Sequence, residues 1–249
     1  MRDAVERAVK MMRDNLSEPI TIDDMARTAM YSKFHFTRVF QRATGVSPGR
    51  FLSALRLEEA KRLLLSTSLS VTEISVQVGY SSVGTFSTRF KNSVGLAPTD
   101  FRQRRGFIPQ IPVDSGHRGN TRSTTTIQGQ ILSSRLEPDG LIFVGLFPGW
   151  IPQGAPVRCT ILRDGPGPFS LTDVPAGTWH LLAQSVAPGY EEFIDDDMPY
   201  VGAYGPISVR VGAILAPIDM KLRPSGVLDP PVLLALLDTR LEALNKNAS

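Results

Sequence analysis

A single cysteine, Cys159, stands in 249 residues, so an internal disulfide and a multi-thiolate metal site are both excluded, and a reducing compartment fits. Long apolar runs are missing too. Stretches such as Leu141 to Phe147 stop far short of the roughly 18 residues that a membrane span requires. The amino terminus is charged and amphipathic rather than built like a signal peptide. These features predict a cytoplasmic protein without a membrane partner. Absent as well are the GxSxG, P-loop, HExxH and dinucleotide fingerprints. Histidines number three, and His35 has no acidic or thiol companion nearby in sequence, which makes it a structural residue rather than a ligand. No catalytic residue, metal or cofactor is expected.

What is present is an ordinary globular composition, 42% hydrophobic and 20% charged, in a chain long enough for two domains. The net charge of +3 is unevenly spread: residues 1–106 carry 17 Lys+Arg against 10 Asp+Glu, and the remainder 10 against 14. A basic first half suits a polyanionic partner, since neutralising phosphates releases condensed counterions. A surplus of this size also occurs in ordinary domains, so charge alone decides nothing.

From Met1 to about Arg105 the apolar residues recur at helical spacing, as in Val5, Val9, Met12 and Leu16, then Leu52, Leu55, Ala60, Leu63 and Leu64. Thr21 and Ser70 each precede a carboxylate by three residues, Asp24 and Glu73, the pattern of a capping box. Ser47-Pro48 offers a capping serine with proline at the first helical position. Between 106 and 124 the composition turns to Pro, Gly, Ser, Thr and Arg, which reads as a linker. Beyond it, alternation predicts strands at Thr125–Leu132, Leu141–Phe147, Val157–Leu162, Thr178–Ser185, Ile207–Val211 and Ile218–Leu222, separated by Gly/Pro turns. A second domain, 125–249, is therefore expected to be an antiparallel β-sandwich. It closes with an amphipathic helix over about Pro231–Asn245, whose Leu233, Leu237, Leu241 and Leu244 form one stripe suited to docking on the sandwich or to dimerisation.

The helical half repeats itself. Met25, Ala29 and Tyr31-Ser32 match Ile74, Val78 and Tyr80-Ser81 at an offset of 49. Phe36, Phe40, Gly45, Pro48 and Phe51 match Phe86, Phe90, Gly95, Pro98 and Phe101 at an offset of 50. Each copy reads as a helix, a short turn around Met30 or Gly79, and a second helix: the helix-turn-helix plan. A connecting helix over about Pro48–Leu65 would hold two recognition helices near one turn of DNA apart, about 34 Å. The bland alternative, a generic helical bundle, does not call for two such copies.

Met1 to Arg105 resembles the AraC/XylS family DNA-binding domain. The resemblance is carried by Gly79-Tyr80-Ser81-Ser82 through Phe86, and by Phe90-Lys91 to Gly95-Leu96-Ala97-Pro98 and Phe101-Arg102. It implies a seven-helix domain with two helix-turn-helix units, acting as a transcriptional regulator on promoter DNA. RNA polymerase, a small-molecule effector and a second copy of the chain are further candidate partners.

On the first recognition helix, about Lys33–Ala43, the inward stripe is Phe36, Val39 and Phe40. The outward set is Lys33, Phe34, Thr37, Arg38, Gln41 and Arg42, with Ser32 at its start. Arg38 is the leading base reader, because guanidinium can hold guanine O6 and N7 together, and Thr37 suits a thymine methyl. On the second, Val83–Asn92, Phe86 and Phe90 face inward. Ser82, Gly84, Thr85, Thr88, Arg89 and Lys91 face outward, a set poor in base readers. Many relatives carry Arg where Thr88 stands. Arg89 and Lys91 are expected to contact phosphates with little sequence preference.

In the second half, Phe169 to Leu181 resembles a motif of carboxypeptidase regulatory-like, transthyretin-like sandwiches, implying an effector or interaction domain. Trp150, Trp179, Tyr190, Tyr200 and Tyr204 could line a pocket, but scattered aromatics in such domains usually pack the core or its edges. Asp195-Asp196-Asp197 reads as a solvated loop rather than a cation site. Some relatives of the helical domain are fused to alkyltransferases with a reactive cysteine. Cys159 lies in the apolar run Val157-Arg158-Cys159-Thr160-Ile161 with no nearby His or Lys to lower its pKa, which argues against an enzyme. The alternative function is a ligand- or protein-binding sandwich tethered to DNA by a weakly specific helical domain.

Overall fold

The computed structural model describes residues 1–106, 125–133, 141–186 and 199–234. The linker beyond Gly106, Tyr190, the Asp195-Asp196-Asp197 triplet and residues 235–249, which include all of the expected terminal helix after Leu234, lie outside the described residues. The chain divides into two compact units. One is Met1–Gly106 with Gly226–Leu234, and the other includes the described residues between them. Among the described residues no helix is long and apolar enough to cross a membrane.

Seven helices build the first unit: α1 (Arg2–Asp14), α2 (Ile22–Thr28), α3 (Lys33–Thr44), α4 (Pro48–Ser66), α5 (Val71–Gln77), α6 (Val83–Val94) and α7 (Pro98–Gln103). Their starts follow local chemistry. At α2, the Thr21 amide donates to Asp24 Oδ2 at 2.9 Å and the Asp24 amide to Thr21 Oγ1 at 3.2 Å. At α5, the Ser70 amide donates to Glu73 Oε2 at 2.7 Å and the Glu73 amide to Ser70 Oγ at 3.2 Å. The Thr21 hydroxyl and amide hold the Asp24 carboxyl below the usual range, and the Ser70 amide does so for Glu73. Both caps therefore contribute at neutral pH and are lost as pH falls through the carboxylate range. Ser47 differs from expectation, since its side chain makes no capping bond. Pro48 starts α4 without it, having φ already set and no amide to satisfy.

Helix α4 is buried over much of its circumference, through Phe51, Leu52, Ala54, Leu55, Leu57, Ala60, Leu63 and Leu64. A helix of that kind belongs in the middle of a fold. It packs on α1 and α3 from the first copy of the repeat and on α5 and α7 from the second. The returning segment Gly226–Leu234 joins the same unit, where Lys61 Nζ donates to the Val232 carbonyl at 3.1 Å. Leu233 and Leu234 are buried. Pro231–Leu234, the expected first turn of the terminal helix, is irregular.

The second unit is mostly sheet: β1 (Ile127–Ser133), β2 (Leu141–Phe147), β3 (Arg158–Leu162), β4 (Pro168–Leu171), β5 (Gly177–Val186), β6 (Tyr200–Val209) and β7 (Ile218–Pro224). The strands follow one continuous order, β3-β2-β5-β6-β7-β1-β4, rather than two facing sheets. The sheet curls until β3 and β4 approach each other, and Arg158 Nε donates across to the Thr172 carbonyl at 3.2 Å. The result is a nearly closed, barrel-like sheet. Pairing is antiparallel except at β1–β7, where Gly129 stands opposite Ile218 in a parallel ladder. Alternation reveals which residues face inward but not the direction of the neighbouring strand, so an all-antiparallel expectation fails at this pair.

Ile142, Val144 and Leu146 of β2 meet Trp179, Leu181 and Ala183 of β5 in the sheet's inner core. Trp179 is a core residue there, its Nε1 donating to the Pro175 carbonyl at 2.9 Å. On the other face, Phe143, Phe147 and Leu182 are also buried. Burial on both faces is why Leu141–Phe147 reads as a continuous apolar run. Strand β6 begins seven residues before the expected Ile207, because Gly202 interrupts the apolar pattern. A Cβ there would press on Met220 Sδ and Leu222.

Candidate nucleic-acid interface

The two copies of the repeat fold alike. In the first, the Tyr31 amide reaches back to the Ala26 carbonyl at 2.9 Å; in the second, the Tyr80 amide reaches Ser75 at 2.8 Å. The turn residues Met30 and Gly79 share the left-handed conformation, at φ 60 and 82. Helices α3 and α6 then start on the hydroxyls of Ser32 and Ser82, which accept from the amides of His35 and Thr85, both at 3.4 Å. They end on Gly45 and Gly95 at φ 77 and 96, a conformation that costs glycine no steric penalty.

Aromatic strings fix each helix from below. Phe36 and Phe40 lie 5.4 Å apart, and Phe40 meets Phe51 edge-on at 5.4 Å. In the second copy Phe86–Phe90 and Phe90–Phe101 are 5.7 and 5.5 Å. With Phe36, Val39 and Phe40 buried, the opposite face of α3 is fixed by helical period. His35 packs edge-on against Tyr31 at 4.6 Å, a packing role.

Lys33, Phe34, Thr37, Arg38, Gln41 and Arg42, the six residues expected to face outward, together line one open depression of about 560 Å³. Phe34 is 88% exposed, at odds with a core role. Lys33 forms a surface ion pair with Asp23 at 3.3 Å, a contact that contributes little in water. Thr37 Oγ1 donates to the Lys33 carbonyl at 2.9 Å. Three cations, an amide and an aromatic ring thus share one solvent-facing surface.

On α6 the expected residues Ser82, Gly84, Thr85, Thr88, Arg89 and Lys91 are all exposed, but the face is chemically sparse. Arg89 leans back toward α4, where Nη1 donates to Ser53 Oγ at 3.4 Å. The same Ser53 oxygen lies 3.3 Å from Tyr80 Oη. Ser53 and Arg56 carry no mark in the sequence that sets them apart from the other polar residues of the connecting helix.

In the second unit, Cys159 is half-buried in β3 opposite Gly145. Burial pushes its thiol up, away from the thiolate a nucleophile needs. Trp150 lies tilted against His180 with ring centroids 4.3 Å apart, Tyr200 packs against the inner core, and Tyr204 is exposed. The structure thus does not bring these aromatics together around one pocket. Among the described residues no group of three or more His, Cys, Asp or Glu could hold a metal ion.

A helix-turn-helix domain family matches residues 25–104. The chain is 35% identical over 101 residues to the HTH-type transcriptional regulator ArgR of Pseudomonas aeruginosa, covering 40% of this chain and 31% of that protein. It is 33% identical over 88 residues to the HTH-type transcriptional activator AarP of Providencia stuartii, covering 35% of this chain and 65% of AarP. A crystal structure of a transcriptional regulator with an AraC-type DNA-binding domain from Chromobacterium violaceum is 31% identical, with a TM-score of 0.40, covering 41% of this chain and 91% of that one. The chain spans about a third of the length of ArgR.

Proposed function

We infer the function of this protein from the membership of its amino-terminal domain in the AraC/XylS family of helix-turn-helix domains: it binds double-stranded DNA and regulates transcription. In this reading α3 and α6 enter successive major grooves of promoter DNA. The observation that carries it is the single exposed face of α3 on which Lys33, Phe34, Thr37, Arg38, Gln41 and Arg42 converge. Arg38 reads guanine through two hydrogen bonds, and the Thr37 methyl, its hydroxyl being engaged with Lys33, meets thymine. Phe34 supplies apolar contact to a neighbouring thymine methyl. Lys33 and Arg42 neutralise phosphates. On α6, Arg89 and Lys91 add affinity along the backbone with little sequence preference. The sheet unit is the effector or interaction domain.

Selection of random duplexes on the purified protein, followed by salt-dependent affinity for the enriched site and a scrambled one, tests this. An asymmetric motif with one strongly and one weakly specified block, about one helical turn apart, is expected. Equal, weak binding to every duplex would overturn it. Within the enriched site, Arg38→Ala should lose about 1–3 kcal/mol of discrimination at one base pair. Lys91→Ala should weaken binding to all sequences and reduce the salt slope by about 1. The same uniform loss in both variants would refute this division of labour.

A further inference from the structure

We propose that Arg56 is a positioning residue: it sets the phase between the two recognition helices and thereby the separation of DNA blocks that the protein accepts. The inference rests on the reading of α3 and α6 as DNA-contacting helices. Three elements meet at this side chain. From the middle of α4, Arg56 Nε donates to the Leu16 carbonyl at 3.0 Å and Nη2 to the Glu18 carbonyl at 2.7 Å. Both carbonyls belong to the loop that leads from α1 into α2. On the other side lies the turn between α5 and α6. A Cβ added to Gly79 would collide with the Leu16 carbonyl oxygen and would stand 2.7 Å from Arg56 Nη2 and 2.8 Å from Cζ. The turn of the second helix-turn-helix copy thus rests directly on the carbonyl that Arg56 holds. Nearly one helical turn earlier on α4, Ser53 receives Arg89 and meets Tyr80 from the same second copy.

Apolar packing around α4 holds the two helix-turn-helix copies at a fixed distance along its axis. It is non-directional, so it resists rotation about that axis weakly. Two charge-assisted hydrogen bonds from one planar guanidinium are directional. The Leu16–Glu18 loop continues into α2 and moves with the first helix-turn-helix copy, while Gly79 leads into α6 and moves with the second copy. Locking both at Arg56 fixes their relative rotation. On B-DNA, one inserted base pair displaces the second block by about 3.4 Å and turns it by about 34°. A rigid pair of helices cannot follow that change, and a loosened pair can.

The test uses the full chain with Cys159→Ser and nitroxide labels on Ala43→Cys of α3 and Asn92→Cys of α6, two exposed positions outside the proposed DNA-contacting set. Electron–electron distance measurements without DNA should give one narrow distance in the parent and a clearly broadened or shifted distribution in Arg56→Met. In parallel, affinity is measured for the selected site and for versions lengthened or shortened by one base pair between blocks. The parent should lose about tenfold or more on either change, and Arg56→Met less than about threefold. An unchanged distance distribution overturns the positioning role. Broadening with an unaltered spacing profile overturns the link to block separation. A parent indifferent to spacing defeats the two-helix reading itself, while the distance measurement still decides what Arg56 does. If Arg56→Met fails to fold, by the helical circular-dichroism signal, Arg56→Lys carries the same test, because it keeps the charge but lacks the rigid planar pair of donors.

Discussion

Phe90→Ala is expected to lower the stability of the helical unit by about 3–5 kcal/mol, the range for emptying a buried aromatic site. Phe90 is fully buried, packs tilted on Phe86 of its own helix and bridges α6 to α7 through an edge contact with Phe101. Thermal or urea melts followed by the helical circular-dichroism signal would read the loss. Because the first copy has its own string through Phe36, Phe40 and Phe51, exchange protection of backbone amides should fall first in α6 and α7. A loss below about 1 kcal/mol would mean that Phe90 is not the keystone of the second copy.

Gly79→Ala should cost a comparable amount, about 2–5 kcal/mol, although it adds a single methyl. An L-residue at a left-handed φ costs about 1–2 kcal/mol. The new Cβ would also meet the Leu16 carbonyl, which is held in place by Arg56, and forced overpacking adds about 1–3 kcal/mol. The equivalent position of the first copy gives the control. Met30 has the same backbone conformation but is 83% exposed, so Met30→Gly removes strain while sacrificing little packing. Relief of the left-handed penalty exceeds the added chain entropy of glycine, and a gain below about 1 kcal/mol follows. Melts of both variants should therefore move in opposite directions. A Gly79→Ala protein as stable as the parent would refute the close approach at Leu16.

The helical unit was legible because its information is local and stated twice. Capping pairs, glycines after each recognition helix and phenylalanines four residues apart recur at a nearly constant offset. Once Phe36, Val39 and Phe40 are read as inward, period alone brings Lys33, Phe34, Thr37, Arg38, Gln41 and Arg42 to one face. Arg56 was not legible. Its partners are main-chain carbonyls about 40 residues away, and a carbonyl leaves no mark in a sequence. The sheet unit shows the same division. Inward alternation marks Ile218, Met220 and Leu222 as core, but the parallel pairing of β7 with β1 depends on which strand arrives beside it. The short β4 carries too few residues to declare a period, and Gly202 hides the start of β6 by leaving its packing to Met220 and Leu222.

The return of Gly226–Leu234 to the helical unit bears on how the protein can be made. A ribosome synthesises the seven helices first and the seven strands next, and only then the segment whose Val232 carbonyl receives Lys61 and whose Leu233 and Leu234 are buried. Domains that fold as they emerge usually finish in chain order. Here the first body to begin folding waits for a segment made after the seven strands, and a fragment cut after Arg105 stops at a state the nascent chain merely passes through.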